Sequence, residues 1–190
     1  SAAGTELLLR GFHPQGTHGT IASTVTAAKL MNLNKSQTLH AIGIAGSLGA
    51  GLMAAQEGAM VKRLHSGRAA EAGVLAAELA AKKFTGISNI IEADYGGYLS
   101  SFSGKNNFAR STDQLGKVWE CTNTGIKPYS SVTSIHAALD SLKAIMKDNK
   151  ILSSDIKQIK AKISHPTYVH CAWAYENHNV TSAQMNIYYG

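Results

Sequence analysis

Histidines and lysines in four short motifs are the residues of this chain best suited to chemistry. His13 lies in the sequence GFHP (residues 11–14), directly before a predicted helix, in a loop that the following proline holds extended. A loop histidine that faces a helix N-terminus can carry protons, because modest interactions move its reference pKa of about 6.5 in either direction. An ordinary capping or surface histidine is the alternative. His18, in the first turn of that helix, is a weaker candidate.

The second motif is the basic segment KRLHSGR at residues 62–68. It places Lys62, Arg63, His65 and Arg68 at the start of another predicted helix. Exposed amide N–H groups and the positive end of the helix dipole add to these side chains, so the segment predicts an anion site for a carboxylate or a phosphate. A solvated basic turn that caps the helix is the alternative.

The other two motifs lie in the second half of the chain. Lys127 begins the sequence KPY, in which the proline fixes the chain and the lysine could point one ammonium into a cleft. His136, near the start of a predicted helix, is more typical of a packing residue than of a base. Tyr168 offers a phenol with a histidine on either side along the chain.

Metal binding is not predicted. His165, His170 and His178 lack a carboxylate at a familiar ligand spacing. The two cysteines, Cys121 and Cys171, lie far apart and outside any Cys-x-x-Cys spacing, which argues against a disulfide scaffold, structural zinc or a cysteine-ligated iron-sulfur cluster. The glycines of residues 43–51 do not have the Gly-x-Gly-x-x-Gly spacing of a nucleotide-binding loop.

Composition and charge exclude several classes of protein. A hydrophobic content of 44% rules out a disordered, collagen-like or low-complexity chain. The net charge of +6 comes from scattered basic residues without interleaved aromatic residues, so it indicates a solvated surface or attraction of a small anion and does not favour a nucleic-acid partner. The apolar run at residues 41–55 is shorter than the ~20 residues of a membrane span and predicts a buried helix. Residues 1–10 lack the pattern of a signal peptide.

Helices are predicted to position the first two motifs. Apolar spacing predicts a helix over residues 17–31, a second that begins with Ser36 as N-cap and runs to about residue 48, and a third over residues 66–83 with Ser66 as N-cap. Glycines in the second helix cost roughly 1 kcal/mol each relative to alanine, which indicates that neighbouring helices approach closely there.

The composition then changes, and the second half is expected to mix helix and strand. We predict a strand over residues 115–122, an amphipathic helix over residues 134–147, a turn at residues 148–150 and a half-buried strand where Ile159, Ala161 and Ile163 alternate with lysines. A last helix is predicted to open at Asn179 or Thr181. The expected fold is mainly α with an α+β part: a helical domain over residues 1–112, an α+β domain over residues 113–178, and a helix over residues 179–190 that returns to the helical domain.

Together these motifs resemble the MmgE/PrpD family, which includes 2-methylcitrate dehydratases, cis-aconitate decarboxylases and iminodisuccinate epimerases. The resemblance rests on GFHP, on KRLHSGRAA (residues 62–70) with Gly73 after it, on FTG (residues 84–86), and on KPY with His136. It extends over essentially the whole chain. It implies an Ala-rich helical domain followed by an inserted α+β lid, a homodimer, and neither a metal nor an organic cofactor.

The resemblance also implies roles for individual residues. His13, Lys62, Lys127 and Tyr168 match residues that line the decarboxylase-type active site. We assign carboxylate binding to the two lysines, proton transfer to His13, and hydrogen-bond donation or acid catalysis to Tyr168. Second choices for substrate binding are Arg63, His65, Arg68 and His136. Val132 departs from the decarboxylases, in which a histidine occupies the matching position.

The predicted function is that of a lyase of small polycarboxylates, with loss of water from a citrate-like substrate, as in 2-methylcitrate dehydratase, as the first expectation. Decarboxylation of cis-aconitate and epimerisation of iminodisuccinate are alternatives, and a non-catalytic helical dimerisation or binding module is a further one. The expected compartment is the cytoplasm, or the mitochondrial matrix in a eukaryote. Nucleic-acid and membrane partners are not expected.

The resemblance implies that the chain is an internal part of a longer protein. An upstream segment with an Asp-rich turn and a further loop histidine would precede Ser1, and the last helix ends where the family continues. We therefore expect little activity from the 190 residues alone. His13, Lys62 and Lys127 are expected to converge on one cleft where the two parts of the chain meet.

Overall fold

The computed structural model describes residue 3 and residues 5–104, 107–176 and 179–190. These residues divide into two compact units, each described here by itself. Unit 1 comprises Ser1–Ala55 and Met60–Val118, and unit 2 comprises Gln56–Ala59 and Trp119–Gly190. The domain boundaries expected from the sequence stay a prediction. His178, one of the histidines weighed as a metal ligand, lies outside the described residues.

Unit 1 is helical. Its helices are α1 (Glu6–Leu9), α2 (Pro14–Leu30), α3 (Lys35–Leu48), α4 (Val61–Ala81) and α5 (Tyr98–Phe102). Helices α2, α3 and α4 pack against one another in all three pairings. Small side chains form most of the core where α3 meets α4, namely Ala41, Ile44, Ala45, Ala76 and Ala80. Because alanine adds little beyond its Cβ atom, the backbones of these helices can lie close together.

Two helix starts differ from the prediction. Asn34 caps α3, because its side chain accepts the N–H of Gln37 while the Gln37 side chain accepts the N–H of Asn34. This reciprocal pair leaves Ser36 inside the first turn, so Ser36 as N-cap was wrong. Helix α4 begins at Val61, five residues before Ser66, so Ser66 as N-cap was also wrong. Lysine, arginine and leucine are good helix formers, and they extend the helix backwards through the basic segment.

The predicted close approach at the glycines of α3 involves a loop. A Cβ atom on Gly43 would overlap the backbone of Gly86 and Ile87, which lie in the segment after α4. The partner expected from the sequence was a helix, but the packed element is this irregular segment. Any larger residue at position 43 would push the segment away from α3.

Unit 2 contains three helices among its described residues, α6 (His136–Asn149), α7 (His165–Cys171) and α8 (Val180–Met185). A single turn of 3-10 helix, Thr133–Ile135, leads into α6, which confirms the predicted amphipathic helix. Asn179, one of the two residues predicted to open the last helix, caps α8 by accepting the N–H of Ser182. The apolar core of the unit is formed by Val132, Ile135, Cys171 and Met185.

The predicted strands do not form. Of residues 115–122, the first five are exposed turn and irregular chain, and the last three lie in the 3-10 helix Glu120–Asn123. Residues 156–164 carry no strand pairing, and Ile159 in that segment is 57% exposed. Alternating apolar residues make a strand only when a neighbouring strand accepts and donates the backbone hydrogen bonds.

The expectation of an α+β lid-type domain was therefore wrong. The sole β-pairing within the described residues is an isolated bridge between Phe12 and Leu52 in unit 1. The described part of the chain is mainly helical, and it contains no α+β lid-type part. None of its helices is long and apolar enough to span a bilayer.

A half-buried histidine on α2 meets a buried tyrosine on α5. Nδ1 of His18 is 2.9 Å from the hydroxyl of Tyr98, whose ring also contacts Phe102. Burial lowers the pKa of His18 and raises the pKa of Tyr98 to about 12. The phenol therefore donates to an uncharged imidazole, and protonation of His18 would remove the acceptor.

This pair predicts a loss of stability in acid. Folding lowers the pKa of His18. The stability gained from an uncharged His18 is therefore fully present above the unfolded pKa of about 6.5, and it is lost as the pH falls from 6.5 to the pKa of the folded state. The variant His18→Asn keeps an acceptor for Tyr98 and removes the titration. Its free energy of unfolding, measured by urea denaturation between pH 8 and pH 5, should fall less than that of the wild type. Equal pH slopes would contradict the prediction.

Candidate active site

His13 is held rigidly at the start of α2. Its backbone is extended, and Pro14 at the first helical position starts the helix directly after it. The His13 carbonyl accepts the backbone N–H groups of Gly16 and Thr17, while its own N–H donates to the carbonyl of Gly51 at 3.0 Å. The residue is only 6% exposed. These bonds fix the backbone from which the imidazole projects.

The loop after α3 lies against His13. Phe12 and Leu52 pair in an antiparallel bridge, flanked by hydrogen bonds from His13 to Gly51 and from Met53 to Gly11. Gly51 has a φ of +137°, which L side chains rarely adopt. A Cβ atom there would lie 3.1 Å from Nδ1 of His65 and 3.4 Å from Cβ of His13. The glycine therefore lets the loop pass close beside both histidines.

His13 and His65 form a hydrogen-bonded pair. Their Nδ1 atoms are 2.9 Å apart, and the ring planes are inclined by 56°. His65 lies in the second turn of α4 and is half-buried. Burial, followed by the positive charge of Lys62, lowers the pKa of His65. The structure thus brings together a main and a second-choice candidate from the sequence, and it favours an uncharged His65.

Lys62 lies in the first turn of α4 and is 9% exposed. With Arg63 it places two cations at the end of the helix where the dipole is positive and where backbone N–H groups lack intrahelical acceptors. Charge and dipole together favour an anion there. The anion site stays a prediction, and its cations are on the helix and not in a turn before it.

Arg68 contributes differently. Its guanidinium donates to the carboxylate of Glu71 one turn along α4, in an exposed ion pair. It also lines a cavity of about 430 Å³ that includes Gly51 and His65. Most of the remaining wall is aliphatic, with Leu48, Leu52, Leu64 and Leu75 among the lining residues. His65 is thus the link between the histidine pair and this cavity.

Unit 2 holds the other candidates. Nζ of Lys127 donates to the carbonyl of Ser131 at 3.3 Å, and Nε2 of His136 lies 3.2 Å from the same oxygen. A carbonyl can only accept, so His136 carries a proton on Nε2. The Tyr129 ring packs against His136, and its hydroxyl donates to Asp140, a bond that raises the pKa of Tyr129. The tyrosine of the KPY motif therefore contacts the first two turns of α6.

Tyr168 and Val132 occupy contrasting positions. Tyr168, on α7, is 58% exposed. Val132 is buried in the apolar core of unit 2, and its N–H donates to the carbonyl of Gln184 at 2.8 Å. The structure brings Lys127 and His136 to the same carbonyl, and it brings His13 into contact with His65. Lys62 precedes His65 by three residues on α4. Convergence of candidates from the two units on one cleft stays a prediction.

Some functional contacts were missed from the sequence. The contact of Gly51 with the two histidines was not predicted, although a glycine after a helix end is a known signal of positive φ. Asp140 and Lys143 are spaced by three residues on α6, so they share a helix face, and that face meets Tyr129. Among the described residues, no group of three histidine, cysteine, aspartate or glutamate side chains is placed to hold a metal ion.

Comparisons with known proteins agree on one family. The model of the MmgE/PrpD N-terminal domain matches residues 2–111. The chain is 33% identical to a cis-aconitate decarboxylase-like protein of Aspergillus oryzae, over 98% of this chain and 41% of that protein. It is 29% identical to a cis-aconitate decarboxylase of Aspergillus terreus over the same shares. The human cis-aconitate decarboxylase is 28% identical over 88% of this chain and 36% of its own length. The chain thus spans about two fifths of these relatives.

Replacement of Gly51 tests whether the loop positions the histidine pair. Gly51→Ala should lower the free energy of unfolding by about 1–3 kcal/mol, because alanine is strained at this φ and its Cβ presses on His65. Gly67→Ala is the matched control, because position 67 is helical and exposed and has space for a Cβ atom. This replacement should raise the free energy of unfolding by about 0.5–1 kcal/mol. Urea denaturation measures both. Equal effects of the two replacements would show that Gly51 carries no such constraint.

Proposed function

The chain belongs to the MmgE/PrpD family, and from that membership we propose that the full-length protein is a lyase of small polycarboxylates. The observation that carries the proposal is the His13–His65 pair, in which a buried imidazole is held by a second imidazole on the helix that also bears Lys62. A lyase of this kind needs a group that moves a proton and cations that hold carboxylates. Both kinds of group lie in unit 1, where the helix that bears Lys62 also bears the partner of His13.

Lys62 is proposed to bind one substrate carboxylate. The positive charge of its ammonium and the positive end of the helix dipole both favour an anion at the start of α4. Arg63, in the same turn, is a second choice for this role. Lys127 is proposed to bind another carboxylate, and its hydrogen bond to the Ser131 carbonyl shows that its ammonium can be oriented by backbone.

His13 is proposed to transfer the proton. Its backbone is fixed by hydrogen bonds on both sides, and its Nδ1 atom lies 2.9 Å from Nδ1 of His65. Exchange of a proton with substrate is proposed at the other ring nitrogen, Nε2. Tyr168 is proposed as a hydrogen-bond donor or acid, a role that its exposed position on α7 permits. Arg68 and His136 remain second choices for contacts with substrate.

Decarboxylation of a cis-aconitate-like tricarboxylate is the reaction proposed first, because the relatives that match most of this chain carry the name cis-aconitate decarboxylase. The bond between carbon and the departing carboxylate breaks and releases carbon dioxide. The electron pair stays on the remaining unsaturated dicarboxylate as a carbanion-like state that the lysines stabilise. Protonated His13 then delivers a proton to carbon.

Dehydration of a citrate-like substrate is the second candidate, and the environment of Val132 favours it. By resemblance, decarboxylases place a histidine at this position, whereas Val132 packs in the apolar core of unit 2. Loss of water requires His13 to remove a carbon-bound proton while an acid, proposed to be Tyr168, protonates the leaving hydroxyl. The same carboxylate-binding groups serve both reactions, and also the epimerisation of a carbon next to a carboxylate.

A homodimer, and a location in the cytoplasm or in the mitochondrial matrix, are kept as part of the proposal. They come from the resemblance to the family. The alternative from a different class, a helical module that binds or dimerises without catalysis, predicts no turnover of any polycarboxylate by the full-length protein. It is tested by the same assay as the reaction.

Replacement of His13 and Lys62 in the full-length protein tests the proposed site. Turnover is measured with cis-aconitate, 2-methylcitrate and iminodisuccinate, with release of carbon dioxide separating decarboxylation from the other two reactions. His13→Ala should lower kcat by about 10²–10⁴-fold, the usual contribution of a general acid or base. Lys62→Ala should raise KM by about 10–100-fold, equivalent to the loss of a charged hydrogen bond worth roughly 1.5–3 kcal/mol.

Lys29→Ala is the matched control for Lys62, since Lys29 is an exposed lysine near the end of α2. It should leave kcat and KM at their wild-type values. Wild-type kinetics in both His13→Ala and Lys62→Ala would overturn the assignment of the site. Absence of turnover by the wild type with all three substrates would overturn the proposed lyase activity itself.

A further inference from the structure

We propose that the cavity of about 430 Å³ beside α4 holds an amphipathic helix from the part of the full-length protein outside residues 1–190, with an acidic side chain of that helix opposite Arg68. We call this cavity the α4 groove. Its walls come from α4, from the loop after α3 and from the start of α2, and all of them belong to unit 1. The inference concerns the assembly of the folded protein, so it goes beyond the proposed lyase activity and does not rest on it.

The wall of the groove that α4 supplies has the spacing of one helix face. Intervals of four, three, four and three residues separate its members, which are Val61, His65, Arg68, Ala72 and Leu75. Alternation of three and four keeps side chains in a single row, and it is the spacing at which a second helix packs. The row is about 21 Å long, at a rise of 1.5 Å per residue. It is therefore long enough for several turns of a partner helix.

The floor of the groove is made of small residues. Gly16 and Thr20 on α2 and Ala69 and Ala72 on α4 line it, and all four are buried. Because these residues reach little beyond their Cβ atoms, the floor leaves room for the side chains of another element. The groove has the shape in which an amphipathic helix lays its apolar face.

The rims of the groove are large and aliphatic. Each of the five large side chains that line it is 39–63% exposed, namely Leu48, Leu52, Val61, Leu64 and Leu75. A continuous apolar surface of this kind marks a contact with another protein element. A small polycarboxylate is a poor occupant, because its carboxylates would lose water against aliphatic walls without gaining enough polar partners.

The length of the protein supports an occupant from the same polypeptide. This chain spans 41% of each of its two Aspergillus relatives, so most of a protein of that length lies outside residues 1–190. A helix of the same polypeptide meets the groove at the high effective concentration of an intramolecular contact, whereas a separate protein must first associate. Such a helix would also cover the rim residues throughout the life of the folded protein.

Charge selects the side chain at the centre of the docked helix. Arg68 lies in the middle of the row, and its side chain is 60% exposed. It donates to Glu71 through one nitrogen, and a guanidinium has five N–H donors, so donors are left for a second carboxylate. An aspartate or glutamate opposite Arg68, with aliphatic residues one turn to either side, complements the groove.

Thiol labelling of the full-length protein tests coverage of the groove. Leu75→Cys and Val74→Cys are each made in a Cys121→Ser background, because Cys121 is exposed and Cys171 is buried. Leu75 and Val74 are 45% and 47% exposed, but only Leu75 lines the groove. A maleimide should react about 10-fold or more slowly with Leu75→Cys, which becomes accessible only when the docked helix opens locally. Equal rates at the two positions would overturn the proposal.

Photo-crosslinking of the full-length protein identifies the occupant. With p-benzoylphenylalanine at position 75, the product should migrate as a monomer on a denaturing gel. Mass spectrometry should join position 75 to a peptide outside residues 1–190. A product of twice the mass would assign the groove to a second copy, and a crosslink to another protein or within residues 1–190 would assign it elsewhere. Each of these results, or a yield no higher than with the crosslinker at position 74, would overturn the proposal.

Charge reversal tests the acidic side chain opposite Arg68. Arg68→Glu, added to Leu75→Cys, should raise its labelling rate by about 10-fold, because a charged hydrogen bond is lost and a repulsion takes its place. Lys35→Glu is the matched control, since Lys35 is an exposed cation on α3 that does not line the groove. It should leave the rate unchanged. Equal rates in Arg68→Glu and Lys35→Glu would overturn the proposed charge pair, and neither result depends on turnover of a polycarboxylate.

Discussion

The hydrogen bond between the Nδ1 atoms of His13 and His65 depends on the close packing of α2 against α4. Small residues allow that packing: Gly19 faces the methyl of Ala69, and the hydroxyl of Ser23 donates to the Ala69 carbonyl at 2.8 Å. Larger side chains along this contact would move α4 outward and lengthen the distance between the two imidazoles. The Ala-rich composition of unit 1 is therefore a condition for the site as well as for the core.

Most of the helices could be predicted because their determinants are local. The amphipathic spacing of α6 and the cap at Asn179 are properties of a few consecutive residues. The strand predictions were wrong for a different reason. Alternation around Ile159 indicates which residues prefer burial, but a strand also needs a neighbouring strand to pair with, and the described residues do not supply one. The start of α4 was misplaced because Ser66 is a good cap in isolation, while the residues before it also favour helix.

The candidate site was predictable in its residue types and only partly in its geometry. His13 and the basic segment stand out from their sequence context. The residues next to His13 do not indicate, however, that its ring contacts His65, fifty-two residues away, instead of solvent. The His18–Tyr98 contact, across eighty residues, was missed for the same reason. Such contacts follow from the packing of helices, which sequence spacing within one helix does not encode.

Burial gives these polar groups their chemistry. It lowers the pKa of His65 and that of His18, which disfavours a positive charge on either ring. In unit 2, Lys127 is exposed, and its ammonium donates to the Ser131 carbonyl that His136 also contacts.

The most direct test is a crystal structure of the full-length protein with a tricarboxylate bound. We predict a carboxylate within hydrogen-bond distance, about 3 Å, of Nζ of Lys62, and a reacting carbon or its proton facing Nε2 of His13. The Nδ1 atoms of His13 and His65 should remain in contact. A tricarboxylate bound away from Lys62, with Nε2 of His13 turned from it, would contradict the proposed site.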